Sequence, residues 1–362
     1  MTTSTPASLE LRAVDAIVDR EAVLNAVDLD ALPGELLFVL GGRGAGKSTL
    51  LRCIAGVDPI AAGSIRIDGR DINALAPRQR NVALMPQSFP LWPNRTIADN
   101  IAFGLRQRGL RRGAIIDRVR KMLRHVGLLD FADHLPDQLS AGQRQRAALA
   151  RTLAPESPIC LLDEPCSAQD ALLRRRVMRL LRQDQQLSDQ TMLLTTQDPD
   201  EALLFGDRIA LLHDGRLQQV GTAAELYDEP ANRYVAEYLG NANLIDGEIE
   251  IDGEQALFRS VHGIAIPLFD HALKRPRRAI AMFRPRDLQL VGGKRMPRGG
   301  EIRISGRVQQ SEFLGEDLRF GIDTVGGTLW MDLSRRNDEP MLNVGDRVAL
   351  ALDPARVRIL ER

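Results

Sequence analysis

Aromatic side chains are scarce in this chain: ten Phe, three Tyr and two Trp, about 4% of 362 residues, with none in residues 1–37. No aromatic platform is therefore available before Phe38. Cysteine is nearly as rare. Cys53, Cys160 and Cys166 sit in apolar surroundings without a CxxC or other ligand spacing. An odd count placed in this way argues against a disulfide framework and suits a reducing cytoplasm. Neither sign of charge dominates, with 48 basic and 48 acidic residues, so nothing global points to nucleic acid or an anionic membrane surface as partner. No apolar run approaches the roughly 18 residues that span a bilayer. The opening MTTSTPASLELRAVD has no basic region followed by an apolar one, so no signal peptide is expected. Any membrane role is then expected to come through a partner. The five histidines (125, 134, 213, 262 and 271) form no metal-binding constellation.

What is present is an ordinary soluble composition, 44% hydrophobic and 27% charged, long enough for two domains at about 150 residues each. Up to about residue 240 apolar runs such as LLFVL (36–40) and ICLLD (159–163) alternate with helical stretches, which predicts a mainly parallel sheet covered by helices. Residues 95–150 break the alternation. IADNIAFGL, IIDRVRKMLRHVGLLDF and QRQRAALARTLA all read as helix, giving a helical subdomain at about 90–150. After YDEPANRYVAEYLGNAN the texture turns short, alternating and Gly-punctuated (LIDGEIEIDG, IRISGRVQQSEFLG, LRFGIDTVGGTLWMDLS), which predicts a small all-β, OB-like barrel domain or a pair of barrels over 241–362. Gly292–Gly300 (GGKRMPRGG) reads as a loop.

The strongest chemical signal is LFVLGGRGAGKSTLLRCIAG. Gly41, four intervening residues and Gly46-Lys47-Ser48 fit the P-loop pattern, with an apolar strand before and a helix after. Gly41, Gly42, Arg43, Gly44, Ala45 and Gly46 would turn backbone N–H groups towards phosphates, and the helix that follows through Thr49 would add its positive end. Lys47 would neutralise β- and γ-oxygens and the Ser48 hydroxyl would ligate Mg²⁺. A second element, PICLLDEP, ends an apolar strand in Asp163-Glu164: one carboxylate for the Mg²⁺ sphere, the next as general base towards water. A bound nucleoside phosphate with Mg²⁺ is therefore expected.

LSAGQRQR (139–146) lies between these two and resembles the LSGGQ signature of ABC transporter ATPases. The order P-loop, Gln87 in MPQS, signature, LLDEP and SAQD (167–170) matches that family through residues 1–240. RPRDLQL (284–290), SEFLG (311–315) and LDPARVRIL (352–360) look like phrases of the extra β (TOBE-like) domain found in importer subunits of the polyamine, ferric-iron, phosphonate and sugar type. The resemblance implies an ATP-hydrolysing subunit that powers solute import, peripheral on the cytoplasmic face of the inner membrane. It would act as a homodimer beneath transmembrane permease subunits, with a solute-binding protein as an indirect partner. In such a dimer ATP on one P-loop is completed by the other copy's signature, here Ser140, Gly142 and Gln143. Gln87 would sense the metal or water, giving it both a catalytic and a metal-contacting role, and Ser167–Asp170 would line the seam.

The chain departs from that pattern in several places. The family's histidine after the D-loop is Gln197, in TTQDPDEA; an amide can hydrogen-bond a phosphate oxygen but carries no charge and shuttles no proton. Where an aromatic normally stacks on adenine there are only Ile17 and Val18, and losing such stacking is worth roughly 1–3 kcal/mol. Ala141, Arg43 and Gln169 also replace more usual residues. A weakly hydrolysing, regulatory or scaffolding subunit is therefore the alternative. A nucleic-acid role is disfavoured, because the 19 basic and 18 acidic residues of 241–362 are too balanced for a phosphate-tracking groove. FGLRQRGLRRG (103–113) is expected to be a solvated or permease-docking face, and Trp92 and Trp330 core or interface residues.

Overall fold

The computed structural model describes residues 6–167, 170–252, 255–268, 275–291, 301–335 and 342–361. Gln169, His271 and the Gly292–Gly300 stretch singled out above lie outside them. The chain divides into two compact units, Met1–Ala224 and Glu225–Arg362.

The first unit is built on two sheets. A hairpin of β1 (Leu9–Val18) and β2 (Glu21–Ala31) pairs with β4 (Ala62–Ile67), which pairs with β5 (Arg70–Asp71), antiparallel throughout. Here apolar and polar residues alternate, so one face is buried through Leu9, Leu11, Val14, Leu24 and Val27. The second sheet has the order β10-β9-β3-β8-β7-β6. It comprises β3 (Leu36–Leu40), β6 (Val82–Met85), β7 (Ile159–Asp163), β8 (Thr191–Thr196) and β9 (Arg208–His213), all parallel, with β10 (Arg216–Gly221) antiparallel at the edge. In β3, β7 and β8 every residue is buried, because both faces are covered, and their centres are accordingly apolar, with Asp163, Thr195 and Thr196 at the carboxyl ends of β7 and β8. Helix α1 (Lys47–Ala55) contributes Leu50, Leu51 and Ile54 to a core shared with Leu9, Leu11, Val27, Leu37, Leu161 and Leu193.

Between β6 and β7 come three helices, α2 (Ile97–Gln107), α3 (Arg112–His125) and α4 (Ala141–Leu153). The fully buried Asn100 anchors the entry to α2. Its side chain accepts from Trp92 N at 2.8 Å and donates to the carbonyls of Trp92, Arg95 and Thr96. Trp92 packs on Phe103 at 4.2 Å between centroids, with the Arg151 guanidinium 4.5 Å over its ring. Residues 106–113 of the arginine-rich stretch are exposed, and Arg108 among them is tied down: it donates to Asn81 Oδ1 at 2.8 Å, to Ser157 Oγ at 2.9 Å and to the Pro155 carbonyl at 2.5 Å. Helices α5 (Ala171–Ser188) and α6 (Pro199–Phe205) flank β8.

In the second unit α7 (Ala223–Asp228, which begins just before it) and α8 (Arg233–Tyr238) lead into ten strands among the described residues. One sheet holds β11 (Asn243–Asp252), β12 (Gln255–Ser260), β13 (Ala265–Leu268), β14 (Arg277–Phe283) and, at its edge, β20 (Arg358–Glu361). The other holds β15 (Leu288–Leu290), β16 (Ile302–Phe313), β17 (Asp317–Thr324), β18 (Gly327–Ser334) and β19 (Arg347–Leu352). Both feed one core, Ile249, Phe258 and Phe283 from the first and Ile304, Phe320 and Leu350 from the second. The two sheets thus share a main core rather than forming a pair of separate barrels, with a smaller cluster of Ala236, Ile280, Met282 and Leu360 beside it. The Arg284 of RPRDLQL is 8% exposed; it donates to the Ala236 carbonyl at 3.0 Å and to that of Tyr227, and lies 4.0 Å over the Tyr227 ring. Trp330 is half-buried and held through its backbone by both ends of the Asn243 amide, at 2.7 and 2.8 Å.

Candidate functional site

The P-loop sits where β3 hands over to α1, at the carboxyl edge of the parallel strands. In an open α/β sheet this is the position for a ligand crevice. Glycine is required at two points here. A Cβ on Gly41 would lie 2.3 Å from the Leu212 carbonyl oxygen, so that backbones meet directly. Gly46 has φ 100°, and a Cβ there would sit 2.9 Å from the Val23 carbonyl oxygen. Gly46 is also the N-cap of α1 and supplies no side-chain hydrogen bond to the first turn. A helix start whose N–H groups lack a side-chain cap, facing a groove, is an anion site by geometry and dipole.

The groove has a volume of about 470 Å³. Arg43, Gly44, Ala45, Gly46, Lys47, Ser48 and Thr49 line one side, with Gln87, Glu164, Ser167 and Gln197 opposite and Val23 at the margin. Lys47 is 6% exposed and donates to the carbonyls of Gly41 at 2.7 Å and Gly42 at 2.8 Å, which spends two of its three N–H bonds on the loop. Burial pushes its pKa below the ordinary lysine value, against the raising influence of Glu164 and Asp163.

Across the groove, Glu164 has φ 47°, a left-handed conformation that costs a non-glycine residue about 1–3 kcal/mol. The turn lifts its carboxylate out of β7, and two amides grip it. Gln197 donates to Oε1 at 2.5 Å and Gln87 donates to Oε2 at 3.0 Å. Helix α6 does not need Gln197 as a cap, because Asp198 accepts from Asp200 N at 3.0 Å. Beneath this clamp, the Thr195 hydroxyl donates to Asp163 Oδ1 at 2.6 Å and accepts from Glu164 N at 2.9 Å, in register with Asp163 across β7 and β8. Asp163 is 4% exposed.

Four predicted residues lie elsewhere. Val18, at the end of β1, is not among those lining the groove, whereas Val23 of β2 is. Ser140, Gly142 and Gln143 begin α4, and none lines this groove. Ser140 caps α4 in a reciprocal box: its hydroxyl accepts from Gln143 N at 3.3 Å, and its N–H donates to Gln143 Oε1 at 2.8 Å. Sequence reading missed Thr195 and Val23. Thr195 had a signal, a hydroxyl at the end of the strand beside ICLLD; Val23 had none, since its place depends on the close approach of β2 to the loop.

The donor set suits a hard cation completed by phosphate oxygens: a hydroxyl (Ser48), a carboxylate (Asp163) and an amide oxygen (Gln87). Among the described residues no three His, Cys, Asp or Glu side chains cluster to hold a metal without such help. The cysteines are inert, with burial pushing Cys53 to about 11, Cys160 to about 12, and Cys166 upward as well.

Comparison with known proteins gives two family matches, one described as ABC transporter over residues 24–167 and one as TOBE domain over residues 281–360. The chain is 40% identical over 312 residues to the spermidine/putrescine import ATP-binding protein PotA 1 of Pseudomonas aeruginosa, covering 84% of this chain and 83% of the relative. It is 38% identical over 306 residues to the Fe(3+) ions import ATP-binding protein FbpC of Rhizobium etli, covering 84% of each. Among solved structures it resembles the ATP-binding cassette MJ0796 in a dimeric post-hydrolysis state bound to ADP and Pi. There the TM-score is 0.56 at 30% identity, covering 59% of this chain and 98% of that one.

Proposed function

This chain belongs to the ATP-binding subunits of ABC transporters, and from that premise we propose that its ATPase activity drives import of a small solute through a membrane permease. The observation that carries the reading is the carboxylate of Glu164 held between the amides of Gln87 and Gln197, across one groove from the uncapped start of α1. Nucleotide phosphates seat on the N–H groups of Gly42–Thr49, and Lys47 neutralises the β- and γ-oxygens. Ser48, Asp163 and Gln87 would hold Mg²⁺, which supplies further charge neutralisation on those oxygens. Glu164 takes the proton of the attacking water. Gln197 orients that water or the γ-phosphate; being an amide it cannot pass the proton on. Val23 gives the groove an aliphatic margin on the nucleotide side, where an aromatic would have stacked.

Two copies work head to tail, each presenting Ser140, Gly142 and Gln143 to the other's nucleotide. The exposure of Ser140, the α4 helix start and its absence from the chain's own phosphate groove support this. Gln87, which follows β6 and precedes the helical segment, transmits the cycle to permease subunits. No helix among the described residues is long and apolar enough to cross a membrane, which fits a peripheral subunit at the cytoplasmic face. Relatives named for a polyamine and for ferric ions each align with 84% of this chain, so solute selection is assigned to the permease and an associated solute-binding protein. The test is uptake by the assembled transporter in vesicles. Glu164→Gln should retain ATP binding and lose both hydrolysis and uptake; uptake that persists in that variant would overturn the reading.

A further inference from the structure

Away from the phosphate groove, a second cavity of about 320 Å³ lies between the end of α3, one face of α4 and one face of α5. Its floor is aliphatic: Leu149, Leu153, Val177 and Leu181 are each at most 3% exposed. Its rim is basic, with Arg124 from α3, Arg146 from α4 and Arg176 from α5, and no Asp or Glu is among the lining residues. Two buried polar atoms in its wall, Arg146 Nε and His125 Nε2, have no hydrogen-bond partner among the described residues. The carboxylate beside His125, that of Asp184, has its Oδ1 3.8 Å away, beyond hydrogen-bond reach. Arg146 is fixed in place, since its Nη1 donates to the Val126 carbonyl at 2.9 Å. Burial, and after it the positive charge of Arg176, hold the Arg146 guanidinium below its ordinary pKa. Three arginines thus border the cavity, with no carboxylate among its lining residues. Buried N–H groups in native proteins are normally satisfied, and an exception calls for a ligand, ion or water.

We propose that this cavity binds a small amphipathic anion, whose carboxylate or phosphate head is taken by Arg124, Arg146 and Arg176 and whose aliphatic body lies on the leucine and valine floor. The chemistry of the two halves sets the class: guanidinium forks match planar or tetrahedral oxyanions, and a dry aliphatic floor takes a hydrocarbon chain. The volume sits at the lower end of small-molecule sites, which run about 300–1,000 Å³. Occupancy ties the distal half of α4, the helix that begins at Ser140, to α5, the helix capped by Asp170.

Calorimetric titration of the full-length protein tests this, using octanoate and octyl phosphate beside octylammonium and 1-octanol, all below the concentrations at which they self-associate. The two anions should saturate one site per chain and the cation and alcohol should not; the tighter of the two anions identifies the head group. Hydrogen exchange should slow in 146–153 and 173–181 when octanoate binds. Arg176 is exposed and lies outside the phosphate groove, so Arg176→Glu should keep ATP binding while weakening octanoate at least tenfold, with Leu180→Arg as a second variant blocking the aliphatic side. Equal binding of octanol or octylammonium, unchanged octanoate affinity in Arg176→Glu, protection elsewhere in the chain, or no binding of either anion would each overturn the proposal. ATP titration on the same preparations keeps this result separate from the ATPase reading: a chain that takes octanoate but not ATP would count against that reading alone.

Discussion

A single threonine, Thr195, connects the two carboxylates of the site. Its hydroxyl gives its proton to Asp163 and takes the N–H of Glu164, so one group fixes the buried acid and the turn that presents the exposed one. Thr195→Val keeps shape and burial but leaves Glu164 N and an Asp163 oxygen without this partner, at a cost of about 1–3 kcal/mol. Chemical denaturation should show that loss, and ATP turnover should fall with it; a variant as stable and as fast as the unmodified protein would refute the bridging role. At this scale the sequence was legible for residue types and largely silent on their pairing. GxxxxGKS and LLDEP announce phosphate chemistry because few other sequences turn the backbone that way. The left-handed Glu164 and its grip by Gln87 and Gln197 depend on strands far apart in sequence. Gln197 read as a departure from a family histidine; its contact with Glu164 rather than with the α6 cap came only from the fold.

Local signals placed most of the elements. Apolar runs marked β3 and β7, whereas the caps of α2, α4 and α5, where Thr96, Ser140 and Asp170 each accept from the third residue on, came from the fold. Ser140 has two duties that separate by magnitude. As a cap alone, Ser140→Ala should cost about 1 kcal/mol and leave turnover nearly intact. As a phosphate contact for a second copy, it should lower turnover far beyond that loss, and comparing the melting temperature with steady-state ATPase decides between them. The arrangement of elements rests on pairings the sequence did not reveal. Asp207 accepts from Leu36 N at 2.9 Å and takes both Arg182 Nη groups, at 2.7 and 2.5 Å, tying α5 to the start of β3. Burial alone would raise the pKa of Asp207, but those hydrogen bonds and the Arg182 charge outweigh it and hold it below the usual carboxylate value. A depressed folded pKa means the contribution is present above the unfolded value, near 3.9, and is lost as pH falls through the folded one. The melting-temperature deficit of Asp207→Asn should therefore be constant at neutral pH and shrink below about pH 4; a deficit unchanged at pH 3 would show that the charge is not its source.

As a whole molecule the protein is two units with separate cores, one α/β and one all-β, and relatives at 38–40% identity span both. Composition foretold the two textures, because alternating strands in thin sheets and runs buried on both faces leave different patterns. It did not foretell that the described strands of both sheets in the second unit share a main core, since which sheet a strand joins is a long-range choice. At this scale the head-to-tail reading makes its own prediction. With Mg-ATP, Glu164→Gln should sediment as a dimer that reverts to monomer once nucleotide is removed, because ATP binds and is not consumed. A monomer under saturating Mg-ATP would contradict it.

With Glu164 held by Gln87 and Gln197, hydrolysis is expected to proceed without the family's histidine. Single-turnover Mg-ATP hydrolysis by the unmodified protein, Glu164→Gln and Gln197→His tests it most directly. Measurable turnover is expected for the unmodified protein, a loss of at least about 10²-fold for Glu164→Gln, and only a modest change for Gln197→His. Background turnover in the unmodified protein, with hydrolysis appearing only once histidine replaces Gln197, would contradict it.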